Sequence, residues 1–139
     1  MKKTFSAQIS SLHPILDWIR THLKQAGFSQ LEIRRLEIAI EEALVNIISY
    51  AYSNKQGTIE VSIQHEEKKS IEITLKDRGR PFNPLEYKKH IDKSASIDTL
   101  KAGGLGILFM QNLVDHVEYR REGTVNSISL KKNLETRNE

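Results

Sequence analysis

The sequence predicts an α/β two-layer sandwich, a mixed and mostly antiparallel sheet of about five strands with helices on one face. Three observations carry this expectation. Ile59, Val61 and Ile63, then Ile71, Ile73 and Leu75, alternate with polar residues, the two-residue period of strands that turn one face to a core. Leu36, Ile40, Ala43, Leu44, Ile47 and Ala51 recur instead at three- and four-residue steps, which makes one apolar stripe along a helix. At 139 residues the chain has room for one two-layer core and not for two, so a single domain over residues 1–139 is expected.

Each element follows from local signals. Phe5, Ala7 and Ile9 alternate with Ser6, Gln8 and Ser10, the pattern of a short first strand. His13-Pro14 opens a helix over about residues 14–26, with Ile15, Leu16, Trp18, Ile19 and Leu23 at helical spacing and Gly27 just past its end. Ser29 and Glu32 have the spacing of a capping box, in which hydroxyl and carboxylate satisfy each other's backbone amides. The central helix should therefore begin near Gln30, and it runs to about Tyr52. A turn cluster, Ser53 to Gly57, leads into the strand through Ile59, Val61 and Ile63. The charged turn His65 to Lys69 joins that strand to the next as an antiparallel hairpin ending at Asp77-Arg78-Gly79.

Gly79, Pro81 and Pro84 stop the strand and stiffen the loop over 77–84. Residues 85–102 are polar and weakly periodic, with a short helix expected around Tyr87 to His90; a connection this long in so small a chain is more often functional than idle. It ends in Gly103-Gly104-Leu105-Gly106, directly before Ile107, Leu108, Met110, Leu113 and Val114 at helical spacing. Val117 and Tyr119, a turn at Glu122-Gly123, then Ile128 and Leu130 supply a closing hairpin, and the polar tail over 135–139 is expected to fray.

Composition excludes several classes. Lysine and arginine number 21 against 18 aspartates and glutamates, interspersed rather than gathered into a basic stripe, which argues against direct nucleic-acid binding. The absence of cysteine excludes a disulfide framework, a thiolate zinc site and a cysteine nucleophile, and it fits a reducing compartment. The histidines lack metal-ligand spacing. No apolar run approaches the roughly 20 residues that span a bilayer, and no signal-type apolar block follows Met1-Lys2-Lys3, so no membrane association and a cytoplasmic location are expected.

Three small constellations bear on chemistry. Glu42 and Asn46 lie one helical turn apart, roughly 40° around the axis, at the border of the apolar stripe. A carboxylate and a carboxamide placed there suit a metal ion or an aimed proton acceptor, and equally a solvated helix flank. Glycine-flexible amides over Gly103 to Gly106, beside the positive end of a helix, suit phosphate oxygens, although neither a Walker loop nor a Rossmann turn is present. Asp77 at a strand end suits either an ordinary turn or the amino group of a base that Gly79 lets approach.

Their order is more informative than any one of them. Helical Glu42-x-x-x-Asn46, a hairpin ending in Asp77-x-Gly79, a long loop ending in Gly103-Gly104-Leu105-Gly106, and a final hairpin with Gly123-Thr124 together resemble the ATP-binding domain of the gyrase, Hsp90, histidine-kinase and MutL (GHKL) superfamily, the Bergerat fold. The short form, Asp77-x-Gly79-x-Pro81-Phe82 and the run Gly103-Gly104-Leu105-Gly106-Ile107 are most similar to the RsbW-like anti-sigma factor serine kinases.

That resemblance implies a set of roles. Glu42 would be the general base, Asn46 a ligand of the Mg2+ that bridges the ATP phosphates, and Asp77 the partner of the adenine amino group, with Gly79 leaving room for the ring. Residues 85–102 would be a lid, the backbone over Gly103, Gly104, Leu105 and Gly106 would bind phosphates, and Thr124 would stand near the adenine. Pro81 replaces a second glycine common in the superfamily, and Asn83 stands where the subgroup commonly has aspartate.

The implied activity is that of a serine/threonine kinase and anti-sigma factor that phosphorylates a STAS-type antagonist in partner switching. The implied partners are that antagonist, a sigma factor and a second copy of the chain. The alternative is an ATP-binding regulatory module without catalysis. Trp18, Phe28 and Tyr52 are candidates for a docking surface or for the core.

Overall fold

The computed structural model describes residues 1–53, 55–66, 70–87 and 110–133. Its elements, in order, are β1 (Lys2–Ser6), a 3-10 turn (Ile9–Ser11), α1 (Leu12–Gln25), α2 (Gln30–Asn46), a π-helical turn (Ile47–Ala51), β2 (Thr58–Glu66), β3 (Ser70–Asp77), α3 (Pro84–Tyr87), β4 (His116–Glu122) and β5 (Val125–Asn133). Residues 110–113 are also helical.

The five strands form one sheet in the order β1-β2-β3-β5-β4. Every pairing is antiparallel, so the expected mixture of directions does not occur among the described residues. β3 and β4 nevertheless run the same way, with β5 between them. β4 therefore begins at the end of the sheet where β3 also begins.

One face of the sheet is apolar and covered by helices. Ile59, Ile71, Ile73, Leu75 and Leu130 are buried against Ile15, Ile19 and Leu23 of α1 and Leu36, Ile40 and Leu44 of α2, with Ile48 of the π turn continuing that ridge. Burying each such side chain contributes on the order of 1.5–3 kcal/mol. The opposite face is polar, including Glu72, Thr74, Lys76, Ser127 and Ser129. Phe28 and Tyr52 belong to the core, while Trp18 is half-buried, packed edge-on against Phe5.

Helix ends agree closely with their local chemistry. Ser29 and Glu32 form the complete capping box at the start of α2. α1 ends in a Schellman motif: the Gly27 N–H donates to Lys24 O, the Phe28 N–H donates to Leu23 O, and Gly27 takes φ +89°. β1 lies earlier than its alternation suggested, and Ile9 is exposed in the 3-10 turn. The cause is its partner: β2 begins at Thr58, opposite Ser6, so after the bond from Ala7 N–H to Gly57 O nothing remains for β1 to pair with. A short helix starts at Pro84, where the Asn83 side chain caps it by accepting from Leu85 N–H at 2.9 Å; of the helix expected around Tyr87 to His90, only Tyr87 lies among the described residues.

The central helix reaches nearly as far as expected, but its last residues wind more widely. Tyr52 N–H donates to Ile47 O, a five-residue closure. Substituting Ser29→Ala removes the hydroxyl half of the capping box; urea unfolding should show a loss of about 1 kcal/mol, with an unchanged dependence on denaturant.

Candidate functional site

The π turn and the loop after β3 are bonded together. Arg80 N–H donates to Ala51 O at 2.9 Å, and Arg80 Nε donates to Tyr50 O at 2.7 Å. The Tyr52 hydroxyl donates to Thr58 O at 2.6 Å and accepts from Arg78 N–H at 2.8 Å. Gly79 is pressed so closely to the turn that a Cβ there would lie 2.5 Å from the Ala51 carbonyl oxygen. Only glycine fits this contact.

The result is a narrow cleft between α2 and the sheet. Ala43, Ile47, Phe82 and Ile128 give it apolar walls, and Asn46, Asp77 and Asn126 supply polar groups. The Phe82 ring stacks on Tyr50 of the π turn, 5.0 Å between centroids and 19° between planes.

Asp77 is 4% exposed and closes one end of the cleft. Its Oδ1 accepts from Gly79 N–H and from Asn126 Nδ2, both at 2.9 Å; no described hydrogen bond falls on Oδ2. Burial pushes its pKa above the ordinary aspartate value, against the opposing pull of those two bonds and of Arg121. Asn46 is also buried, and its Nδ2 has no hydrogen-bond partner among the described residues. A buried amide donor facing a cleft without a partner is the kind of group a polar ligand would satisfy.

Glu42 lies one turn before Asn46 on α2 and is half-buried. Its pKa is raised by desolvation and, to a lesser extent, by neighbouring Glu41. Glu37, on the same helix, behaves oppositely. Hydrogen bonding to Arg20 holds its carboxylate below the usual range, against burial.

Thr124 is not brought to the described part of the cleft; it lies exposed in the β4–β5 turn. The residue opposite Asp77 in the strand register is Asn126, two positions later, and Asn126 in turn pairs with Arg121 of β4. Asn126, Tyr119 and Arg121 were not singled out from the sequence. The signal available there was the alternation of the last hairpin, which places Asn126, Ile128 and Leu130 on one face. Gly103, Gly104, Leu105, Gly106 and most of the 85–102 segment lie outside the described residues, as does the tail. Among the described residues no group of three or more histidine, aspartate or glutamate side chains could hold a metal ion.

Residues 5–132 match the model of the histidine kinase-like ATPase domain. Serine-protein kinase RsbW from Staphylococcus aureus strain MSSA476 is 34% identical over 113 residues, covering 78% of this chain and 70% of the relative. Two solved structures share the fold. One, a Mycobacterium tuberculosis protein with RsbU and RsbW domains, has a TM-score of 0.63 at 14% identity, over 96% of this chain and 32% of that one. The other, the SiaB–SiaC complex from Pseudomonas aeruginosa, has a TM-score of 0.57 at 15% identity, over 95% and 88%.

With its helix-on-sheet cleft and the match over nearly its whole length, the chain belongs to the histidine kinase-like ATPase domain family. That family membership implies ATP binding. Within the family the chain is an RsbW-like serine-protein kinase. No helix among the described residues is long and apolar enough to cross a membrane.

Two substitutions test the cleft. Gly79→Ala forces the β3 loop away from Ala51, and should cost about 1–3 kcal/mol of stability and at least about tenfold in ATP affinity by calorimetry. Asp77→Asn should separate binding from stability. A raised carboxyl pKa favours the fold at low pH, and that advantage is lost as pH rises through the folded value, so at pH 7 the ionised group is a burden. The neutral variant should melt at the same or a higher temperature at pH 7 and lose ATP binding.

Proposed function

We propose that this chain transfers the γ-phosphoryl group of Mg-ATP to a serine or threonine hydroxyl of a STAS-type anti-sigma factor antagonist, and that it binds and inhibits a sigma factor when that antagonist is phosphorylated. The observation that carries this reading is the union of α2, which bears Glu42 and Asn46, with the Asp77 loop through bonds to Tyr50 and Ala51. A phosphoryl-transfer site needs chiefly fixed positions and charge neutralisation, and that union supplies fixed positions.

The residues present fit the nucleotide. Asp77 would accept the adenine amino group through Oδ2, its Oδ1 being taken by the Gly79 N–H and Asn126, while Gly79 lets the loop pack against Ala51 at the helix end. Phe82, stacked on Tyr50, and Ile128 bound the ring apolarly. Asn46 would hold Mg2+ through its amide oxygen, an oxygen donor of the kind that ion takes, or would give its unpartnered Nδ2 to a phosphate oxygen. Bound there, Mg-ATP supplies the phosphoryl group and the charge that offsets its transfer. The phosphate-binding and lid roles that the resemblance implies for Gly103, Gly104, Leu105, Gly106 and 85–102 belong to the proposal, and these positions lie largely outside the described residues.

Glu42 orients the attacking hydroxyl and takes its proton as the oxygen–phosphorus bond forms and the β–γ bridging bond breaks, releasing ADP. Asn126, opposite Asp77 in the strand register, joins the proposed adenine site, while Thr124 is exposed at the hairpin turn. A homodimer is part of the proposal: β1 and β4 are the outer strands of the sheet, each paired on one side only among the described residues.

Labelled Mg-ATP mixed with STAS-domain proteins from the same organism tests this. Glu42→Ala should reduce label transfer by about 10²-fold or more while ATP still binds. ATP binding with no transfer to any such protein would favour the module without catalysis. Because the Glu42 pKa is raised, its basic form is lost at a higher pH than for an ordinary glutamate as acid is added. The acid limb of the transfer rate should accordingly lie above the normal glutamate range.

A further inference from the structure

Asn126 is 2% exposed, and both ends of its amide are engaged. Its Nδ2 donates to Asp77 Oδ1 at 2.9 Å and to Arg80 O at 2.8 Å. Its Oδ1 accepts from the Tyr119 hydroxyl and from Arg121 Nη1 at 3.0 Å. Two acceptors on one end and two donors on the other fix which way the amide points. Turned over, it would press its oxygen against a carboxylate oxygen and its NH2 against two donors, and each buried mismatch is costly.

This orientation has a chemical consequence at Asp77. Oδ1 already receives Asn126 Nδ2 and the Gly79 N–H, so the carboxylate meets any ligand through Oδ2, as an acceptor. An acceptor there pairs with the 6-amino group of adenine and opposes the 6-oxo group of hypoxanthine or guanine. We propose that Asn126, held by Tyr119 and Arg121, is a positioning residue that sets the purine selectivity of the cleft, favouring 6-amino over 6-oxo nucleotides. The relay runs across three adjacent strands and rests on the reading of the cleft as a nucleotide site.

Asn126→Asp exchanges the NH2 donor for a carboxyl oxygen. Two carboxyl groups in contact share a proton, and Asp77 can then turn an O–H toward the ligand, the polarity a 6-oxo group requires. Asn126→Thr keeps one hydroxyl donor on a side chain suited to a strand. Tyr119→Phe leaves the amide in place and removes one of the two donors that orient it.

The test is calorimetric titration of the unaltered chain and these three variants with ATP and with inosine triphosphate, with thermal unfolding measured on each. The unaltered chain should prefer ATP. N126D should lose at least about tenfold of that preference, Y119F should move the ratio the same way by less, and N126T should retain most of it. A residue that merely supports the fold would weaken both nucleotides alike, so a ratio unchanged in N126D and Y119F overturns the inference. If N126D does not fold, an unchanged ratio in Y119F does so alone. Failure of the unaltered chain to bind ATP would instead overturn the nucleotide-site reading itself.

Discussion

The carbonyl groups that end the central helix are satisfied by the loop that follows β3, and the rest of the site depends on that capping. A helix terminus leaves carbonyls without intrahelical partners, and in a packed interior they must find donors elsewhere. Here the wider winding over Ile47–Ala51 presents the Tyr50 and Ala51 carbonyls to the backbone and guanidinium of Arg80. The positive side chain also sits at the negative end of the helix dipole. Glu42 and Asn46 are carried by the helix, Asp77 and Gly79 by the loop, so one set of bonds fixes both halves of the cleft. Moving either half alone would strand those carbonyls.

Much of this was legible because it is local. The capping box, the glycine stop of α1 and the alternating hairpin strands depend on residues a few positions apart, and they occur where those signals lie. What was not legible depends on register and on distant partners. β1 ends where β2 begins, which the alternation of Phe5, Ala7 and Ile9 does not encode. Asn126 faces Asp77 only because β5 pairs with β3 in one particular alignment, and a shift of one residue would have put Ser127 or Val125 there instead. Thr124 was attractive because it follows a glycine in a motif, but its place in a two-residue turn leaves it outside the ladder. The π turn left no mark in the sequence, and its carbonyls are met by donors on the distant loop after β3.

Three buried or half-buried carboxylates show how one chemistry is divided between structure and function. Glu37 is the structural case. It has Arg20 for a partner and a lowered pKa, so it stays charged and ties α1 to α2. Its contribution to stability is present above the unfolded pKa and is lost as pH falls through the lower folded value. Asp77 and Glu42 are both raised, chiefly by desolvation, so the fold gains nothing from their charge at neutral pH. Of the two, Asp77 lines the cleft, and the proposed function gives both charges a use.

The size of that cost also bears on mechanism. A glutamate that must accept a proton from a serine hydroxyl faces opposing demands: a higher pKa makes it a stronger base, but too high a value leaves it protonated and useless. Half-burial on the flank of α2 meets both, because solvent still reaches the carboxylate while neighbouring Glu41 adds to the shift. The hydroxyl proton departs late in a loose phosphoryl transfer, so direction matters more than base strength. Direction is what a rigid helix capped at its far end provides. The far end of α2 cannot move from the loop after β3 without breaking the bonds that Arg80 makes to Tyr50 and Ala51. In the proposed function, the same bonds would hold the helix that carries Glu42 against the loop that carries Asp77.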